Sequence, residues 1–407
     1  MESVLELHVA IDIGSRVHRV AVGDADGHVL DQFDVHHTAP GIAAFFERIE
    51  KLPHDTVAVA MEGYNGWARP LDQRVLARGW TLFNVNNLKL ARYKEIFPAP
   101  AKSDNIDSLR MLELFRMRGS VHVARDVLQL VIAAPPENDK LKQLTRRRRQ
   151  LVNDKVRLTA RMTAMLQALC PGLLALTGAV DNVWFLSLLT ARADIRKLPG
   201  LRSTTVRGLP AVGKRYASII KVWQKEALLA DDAKWTGPML ISDAKRLLAL
   251  RREIEDQERQ IAAAAVESDL AQRIASIPGF GLICSAELAG EIGTLARFEG
   301  EAGLAVYLGM APLTNSSGTY HGTKRPRQVN QHAKLAMMTG SAHHVREVAQ
   351  SQRYYAKKRV QAKGHNQAVR CVGRQLVRVI WSMVTKGRAY QVEPELYTQP
   401  TEDSCQT

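Results

Sequence analysis

An α/β domain followed by a mainly helical chain is what this sequence predicts, and three observations carry that reading. Short runs rich in Val, Ile and Leu, broken by Gly and Asp turn signals, crowd the first quarter of the chain. Helical periodicity alternates with the later of those runs, the pattern of strands joined by crossover helices. Beyond Pro135-Pro136 the strand signals largely stop and long, charged helical stretches take over. A length of 407 residues leaves room for two or three domains of roughly 150 residues each.

The elements follow in order. Residues 7–12 (LHVAID), 17–23 (VHRVAVG) and 28–34 (HVLDQFD) read as three strands in a meander. Pro40 opens a helix to about Lys51, 55–61 (DTVAVAM) is a strand, 67–79 a helix and 80–86 (WTLFNVN) a further strand. Hairpins give antiparallel pairs and crossovers give parallel ones, so the sheet of this first domain, about 1–125, is expected to be mixed. Residues 137–170 read as one long helix ended by Pro171-Gly172, and 214–231 as another. After Gly237-Pro238, Leu240, Leu247, Ile254 and Ile261 recur every seven residues with Leu250 beside them, a coiled-coil seam. That seam, interrupted by Asp243 and Gln257, fits packing against 137–170 as well as it fits a dimer contact. At 277–281 the string IPGFG lies between two helical stretches and reads either as the hairpin of a helix-hairpin-helix, with backbone N–H groups open to phosphate, or as a plain turn between packed helices. These boundaries give a domain at 1–125, a helical and coiled-coil region at 126–270, a C-terminal domain at 271–392 and a disordered tail at 393–407.

Charge narrows the partners. Lys and Arg number 56 against 41 Asp and Glu, a formal net charge of +15, which points to a polyanion. The excess is concentrated: Gly318 to Tyr390 holds fifteen Lys and Arg with Glu347 as its one acid, and Lys140 to Arg161 holds nine with Asp154 as its one acid. Like charges so crowded repel unless phosphates or counterions neutralise them. Cys170, Cys284, Cys371 and Cys405 form no zinc-type spacing and read as reduced thiols. The start, MESVLELH, lacks an apolar signal region and no apolar run reaches a membrane span, so a cytoplasmic protein is expected.

Four acids stand out. Asp12 ends an apolar strand in IDIG, Glu62 ends another in VAVAME, and Asp104 and Asp107 lie three apart at a helix start in KSDNIDSLRML. Each has a local explanation as cap, dipole partner or turn acid. Together they are oxygen donors on elements able to converge, the ligand chemistry of Mg²⁺, and a pair of such ions clamps the oxygens of a phosphodiester.

IDIG, MEGYNGW and KSDNIDSLRML resemble the acidic tetrad of the DEDD insertion-sequence transposases, the insertion-sequence 110 type, related to the Piv-like DNA invertases. IPGFG, the string AVYLGMAPLTNSSG and the basic helical tail are similar to that family's second, transposase domain. The resemblance implies a RuvC-like ribonuclease-H fold at the N-terminus and Mg²⁺ held by Asp12, Glu62, Asp104 and Asp107. It also implies a serine nucleophile at Ser317, with Ser316 its neighbour, and DNA as substrate. A noncoding guide, or bridge, RNA would bind the basic blocks. Two or more copies would act together, a dimer or a dimer of dimers, with Leu247, Ile254 and Ile261 as a candidate seam. Two other classes compete. A Holliday-junction-type metal nuclease would need the acids but neither Ser317 nor the second domain, and a non-catalytic nucleic-acid-binding protein would leave the acids without a purpose. An actin-like ATPase shares the IDIG loop but requires further glycine-rich nucleotide loops that this sequence lacks.

Overall fold

The computed structural model describes residues 5–64, 66, 68–94, 104–118, 127–326 and 329–391, with the side chains of Asn87, Leu88, Arg92, Lys94, residues 104–106 and Tyr320 outside the description. The tail read as disordered, 393–407, and Cys405 lie outside the described residues. The chain forms two compact units, Met1–Ala133 and Ala134–Thr407.

The first unit is built on a six-stranded sheet ordered β3-β2-β1-β4-β5-β6. β1 (Glu6–Asp12), β2 (Val17–Gly23) and β3 (Val29–His36) form the antiparallel meander, and β4 (Thr56–Glu62) and β5 (Thr81–Val85) join it in parallel. The sheet is therefore mixed, as hairpin and crossover connections require. α1 (Ala39–Glu50) and α2 (Arg69–Ala77) are the crossovers, and Thr38 caps α1 by accepting from the Gly41 N–H at 3.1 Å. The short strand β6 (Leu128–Leu130), antiparallel to β5, and helix α3 (Asn87–Lys94) escape sequence reading because three and eight residues carry too little period.

The two faces of this sheet differ in kind. Odd residues of β1 and β4, among them Val9, Ile11, Val59 and Met61, meet the large side chains Phe45, Phe46, Ile49 and Leu71 of α1 and α2. Even residues Ala10, Ala58 and Ala60, with Ala21 of β2, meet Met111, Leu114 and Phe115 of α4 (Asp104–Arg118). Alanine on this face lets a helix lie close to the sheet, and that closeness matters for the acids at its end.

The second unit is organised by two long helices, α5 (Pro136–Leu169) and, after four shorter helices, α10 (Ala233–Glu267). The shorter ones are α6 (Pro171–Leu174), α7 (Val183–Leu189), α8 (Ser203–Gly208) and α9 (Gly213–Glu226). α5 and α10 run antiparallel, cross-linked by Arg161–Asp243 at 2.5 Å, Arg148–Glu258 at 2.6 Å and Lys140–Glu267 at 3.7 Å. Around one end Leu158, Met162 and Leu166 meet Leu240, Leu247 and Leu250, together with Phe185, Ile195 and Trp223. Around the other, Leu141 and Ile261 join Phe280, Leu288, Met337 and Leu376.

The heptad seam is thus an intrachain contact. Leu247 and Ile261 are wholly buried and Ile254 packs beside the first core, so the expected intermolecular use of Leu247, Ile254 and Ile261 is corrected. The interruptions are bonds of the same contact: Asp243 takes Arg161, and Gln257 donates to the Leu144 carbonyl at 3.2 Å. α10 also begins before Gly237-Pro238 and carries Pro238 inside it, and a β-carbon on Gly237 would lie 2.6 Å from the Ile195 side chain.

The rest of the unit comprises α11 (Asp269–Ala275), α12 (Leu282–Ile292), α13 (Glu301–Tyr307), a hairpin β7 (Leu313–Ser317)–β8 (Tyr320–Lys324), and α14 (Gln331–Glu347), α15 (Ala349–Val360) and α16 (His365–Thr385). IPGFG joins α11 to α12. Gly279 has φ 82° and a β-carbon there would lie 2.3 Å from the His344 backbone nitrogen. This glycine serves the packing of the turn on α14, while Gly281, at the start of α12, has open space around it.

Candidate active site

Asp12 and Glu62 are the last residues of neighbouring parallel strands, and the preceding pair Ile11–Met61 is in register. Side chains alternate along a strand. Asp12 therefore shares the face of Ala10, and Glu62 that of Ala60, the face covered by α4. The level of Asp107 on that helix follows from a fixed point lower down, where His8 stacks on Phe115 with ring centroids 4.5 Å apart. From His8, Asp12 is four strand residues higher, about 13 Å. From Phe115, Asp107 is eight helical residues higher, about 12 Å. Leu112 beside Gly23 and Arg116 beside Gly27 fix the helix direction as opposite to β1. Asp12, Glu62 and Asp107 thus meet at one end and on one face of the sheet. Asp104 starts the same helix one turn earlier, with its side chain outside the described residues.

The glycine of IDIG serves the backbone that follows Asp12. A β-carbon on Gly14 would lie 2.1 Å from the Val17 carbonyl oxygen, so Gly14 permits the tight turn into β2. Beyond Glu62 the chain is held by Asn84, whose Oδ1 accepts from the Tyr64 N–H at 3.0 Å. Asn65 and Trp67 of the MEGYNGW motif lie outside the described residues.

Sequence reading missed two residues of the strand beside Asp12. Arg19 is the direct cross-strand partner of Asp12, and its guanidinium donates to Asp34 at 3.1 Å and Gln32 at 3.4 Å on β3. His18, on the other face, lies against His37 with ring centroids 4.1 Å apart and the planes tilted by 33°, and burial together with that second ring pulls its pKa down to about 4, so its ring is neutral. The register of the meander is the signal that would have found both. A separate group able to approach a cation, Asp24, Asp26 and His28, sits in the turn at the opposite end of the sheet. It is the one such group among the described residues, and Asp24 there already accepts from the His28 N–H at 2.8 Å.

Ser317 ends β7. A two-residue turn, Gly318-Thr319, with Gly318 at φ 56°, returns the chain so that Ser317 pairs with Tyr320 and Ser316 with His321. Consecutive strand residues face opposite ways, so the two hydroxyls point to opposite sides of the hairpin, and every residue of β7 is exposed. The root of this arm is fixed in the core. Asn330 donates its N–H to the Tyr307 carbonyl at 3.0 Å, and its side-chain amide donates to Glu291 at 2.7 Å and to the Tyr307 hydroxyl at 2.6 Å. Its Oδ1 caps α14 by accepting from Ala333. Glu291 in turn takes a two-pronged bond from Arg146, at 2.6 and 2.9 Å.

Two family models match the chain, a DEDD-type IS110 transposase model over residues 9–171 and one described as the transposase IS116/IS110/IS902 family over residues 271–356. The chain belongs to the IS110 family of transposases. As an IS110-family transposase it acts on DNA. The first match contains the three acids just located and the second contains Ser317. Among its relatives is the uncharacterized 44.8 kDa protein of insertion element IS116 from Streptomyces clavuligerus, 27% identical over 95% of this chain and 96% of that protein. The 43.6 kDa protein of insertion element IS110 from Streptomyces coelicolor is 25% identical over 94% and 95%. The transposase for insertion sequence element IS1111A of Coxiella burnetii is 24% identical over 36% of this chain and 41% of that protein. Among the described residues of this transposase no helix is long and apolar enough to cross a membrane.

Proposed function

We propose that this transposase cuts and rejoins DNA by serine attack assisted by a divalent metal, Mg²⁺, held by Asp12, Glu62, Asp104 and Asp107. The observation that carries the reading is the gathering of Asp12, Glu62 and Asp107 at one sheet end from three separate elements. The donor set fits the ion, since carboxylate oxygens alone suit a hard cation. A strand order with an antiparallel meander continued by two parallel strands supports the RuvC-like ribonuclease-H assignment of the domain. The ion would supply positive charge to the phosphorus oxygens as they become crowded and more negative.

The Ser317 oxygen attacks phosphorus. A bond from Ser317 Oγ to phosphorus forms as one phosphorus–deoxyribose oxygen bond breaks; the hydroxyl proton leaves to a base and the freed deoxyribose oxygen gains one. Attack on that phosphoserine by another DNA hydroxyl restores the serine and a phosphodiester, so the phosphoester count is conserved and no nucleotide is consumed. Exposure of the serine at the tip of an arm supports its reaching a DNA strand. A guide RNA belongs to the reading, supported by the basic C-terminal helices. So does action by more than one copy, since recombination joins two duplexes, though not through Leu247, Ile254 and Ile261.

Strand-transfer assays test it. Ser317→Ala should bind DNA yet give neither a covalent protein–DNA adduct nor recombinant product, while Ser316→Ala stays active. Full activity in Asp12→Ala or Glu62→Ala refutes the role of the acids, and normal cleavage by both serine variants assigns the attack to water. RNA copurifying with the protein is expected, and full recombination after RNase treatment would remove the guide.

A further inference from the structure

Positive charge gathers in a third place besides the two basic blocks. Residues 192–225 hold nine Lys and Arg with Asp194 as their one acid. They lie in the cluster of short helices between the end of α5 and the start of α10. On α5 itself the cations are taken up within the molecule: Arg146 and Arg149 hold Glu291 and Glu287, Arg147 and Arg148 meet Glu253 and Glu258, and Lys155 meets Asp181. In the helical cluster only Arg196 is so used, on Asp194 at 2.8 Å. The other eight cations are exposed, and among the described residues none of them pairs with an acid.

α9 turns this excess to one side. Its Ala217, Ile220 and Trp223 are buried in the core around Leu166 and Leu240, and Gln224 donates to the Leu198 and Leu201 carbonyls at 3.1 and 3.0 Å, so the helix is held in one rotation. On the opposite side Lys214, Ser218, Lys221 and Lys225 fall at i, i+4, i+7 and i+11, within about 60° of one another, and all four are exposed. Ser218 donates its hydroxyl to the Lys214 carbonyl at 3.1 Å, which leaves three ammonium groups as the chemistry of the stripe. The one acid of α9, Glu226, is its last residue and lies about 100° round the helix from Lys225. Lys221 and Lys225 are like charges four apart, an arrangement that destabilises a helix unless an anion relieves it.

We infer that the lysine stripe of α9 is a docking surface for the phosphate backbone of duplex DNA, with Lys214, Lys221 and Lys225 as its phosphate contacts. The inference rests on the reading of the chain as a DNA-joining enzyme and deepens it by extending the path of the substrate. Leu166, in the core under α9, and Leu141, in the core that holds the root of the serine arm, lie about 37 Å apart along α5. Charge complementarity selects a nucleic acid. The rings select a duplex backbone rather than single-stranded RNA, whose bases are held by stacking: Tyr216 is already stacked on Trp184 at 4.3 Å and Trp223 is buried. Shape selects B-form DNA, because an exposed helix about 21 Å long lies along or within a major groove about 12 Å wide, whereas the deep, narrow major groove of A-form RNA does not admit one.

The test is the salt dependence of binding by the full chain to a duplex DNA carrying the element end, and to a duplex RNA of equal length. Each phosphate contact contributes about 0.9 to the slope of log affinity against log salt, so Lys214→Gln/Lys221→Gln/Lys225→Gln should lower the DNA slope by about 2.7. Its loss of affinity between 50 and 200 mM salt should then be about 40-fold smaller than the wild type's. Its melting temperature should not fall, because all three lysines are exposed. Lys214→Arg/Lys221→Arg/Lys225→Arg, which keeps the charge, should keep the wild-type slope. So should Arg147→Gln/Arg157→Gln/Arg259→Gln, an equal change of net charge at residues already paired with Glu253, Asp154 and Asp256. An unchanged slope in the α9 glutamine variant, an equal fall in the variant of paired arginines, or a fall confined to RNA overturns the assignment. Failure of the wild type to bind DNA would instead strike the underlying reading.

Discussion

Replacing Arg146 with Met exposes how the serine arm is anchored. Glu291 has a fully buried side chain, while its partner Arg146 is 42% exposed. Burial raises the Glu291 carboxyl, but the bonds from Arg146 and Asn330 outweigh it and hold the pKa below the ordinary carboxylate range. Removing one member of a buried pair costs about 3–5 kcal/mol, because the remaining charge is left without compensation. Asn330 and nearby Lys142 still serve Glu291, so the lower end, about 3 kcal/mol, is expected for Arg146→Met. Glu291→Leu leaves a guanidinium that can turn to water and should cost about 1–2 kcal/mol, mostly through the lost Asn330 and Arg146 bonds. The double variant should cost little more than Glu291→Leu alone, a coupling of about 2–3 kcal/mol in urea unfolding. The pH dependence adds a sign. In the wild type the depressed carboxyl stabilises above its unfolded pKa, and that contribution is lost as pH falls through the folded value. In Arg146→Met burial, the largest influence on this carboxyl, outweighs the remaining Asn330 bond and Lys142 charge and raises the folded pKa above the unfolded one, so acidification between the two stabilises, and the deficit against wild type shrinks. Additive losses, or a deficit under about 1 kcal/mol that ignores pH, would refute the reasoning.

Other outcomes follow from single features. Gly279→Ala forces a side chain into left-handed backbone and onto α14, and should destabilise by about 2 kcal/mol or more in the same assay; an unchanged midpoint would contradict the close approach. Leu247→Ala should cost about 2–5 kcal/mol while leaving the assembly mass in light scattering unaltered, the reverse of what an intermolecular seam requires. His18 titrates from 6.5 in the open chain to about 4 when folded. Between those values the unfolded chain binds more protons, so stability falls as pH drops through that window, by about 3 kcal/mol in all. His18→Phe should flatten that part of the profile, and an identical slope in both proteins would count against it. Asn330→Ala should slow strand transfer at saturating DNA with affinity unmoved, whereas Asn330→Asp, which keeps the cap on α14 but sets a second carboxylate against Glu291, should not rescue it.

Much of this molecule is legible in short-range pattern. Alternation in VHRVAVG and VAVAME places strands within a residue of where they form, and the acids that end them, Asp12 and Glu62, are recognisable before any fold is known. Pro136 and the break before Pro171 bound a helix whose whole length is written in its periodicity. These signals repeat over two to four residues, the same distances over which strands and helices are built, so sequence displays them directly. Long-range pairings leave no such mark. That α5 spends its arginines on acids about a hundred or more residues away, among them Glu258, Glu287 and Glu291, is invisible in a run of RRRR. The heptad of α10 shows that a partner helix exists but not whose it is, because an apolar stripe is equally satisfied by its own chain or by another. The separation of Ser316 from Ser317 depends on hairpin register, which the turn at Gly318 sets. Side chains share a surface only once the chain has closed on itself, and the energy deciding their partners is released in that closure.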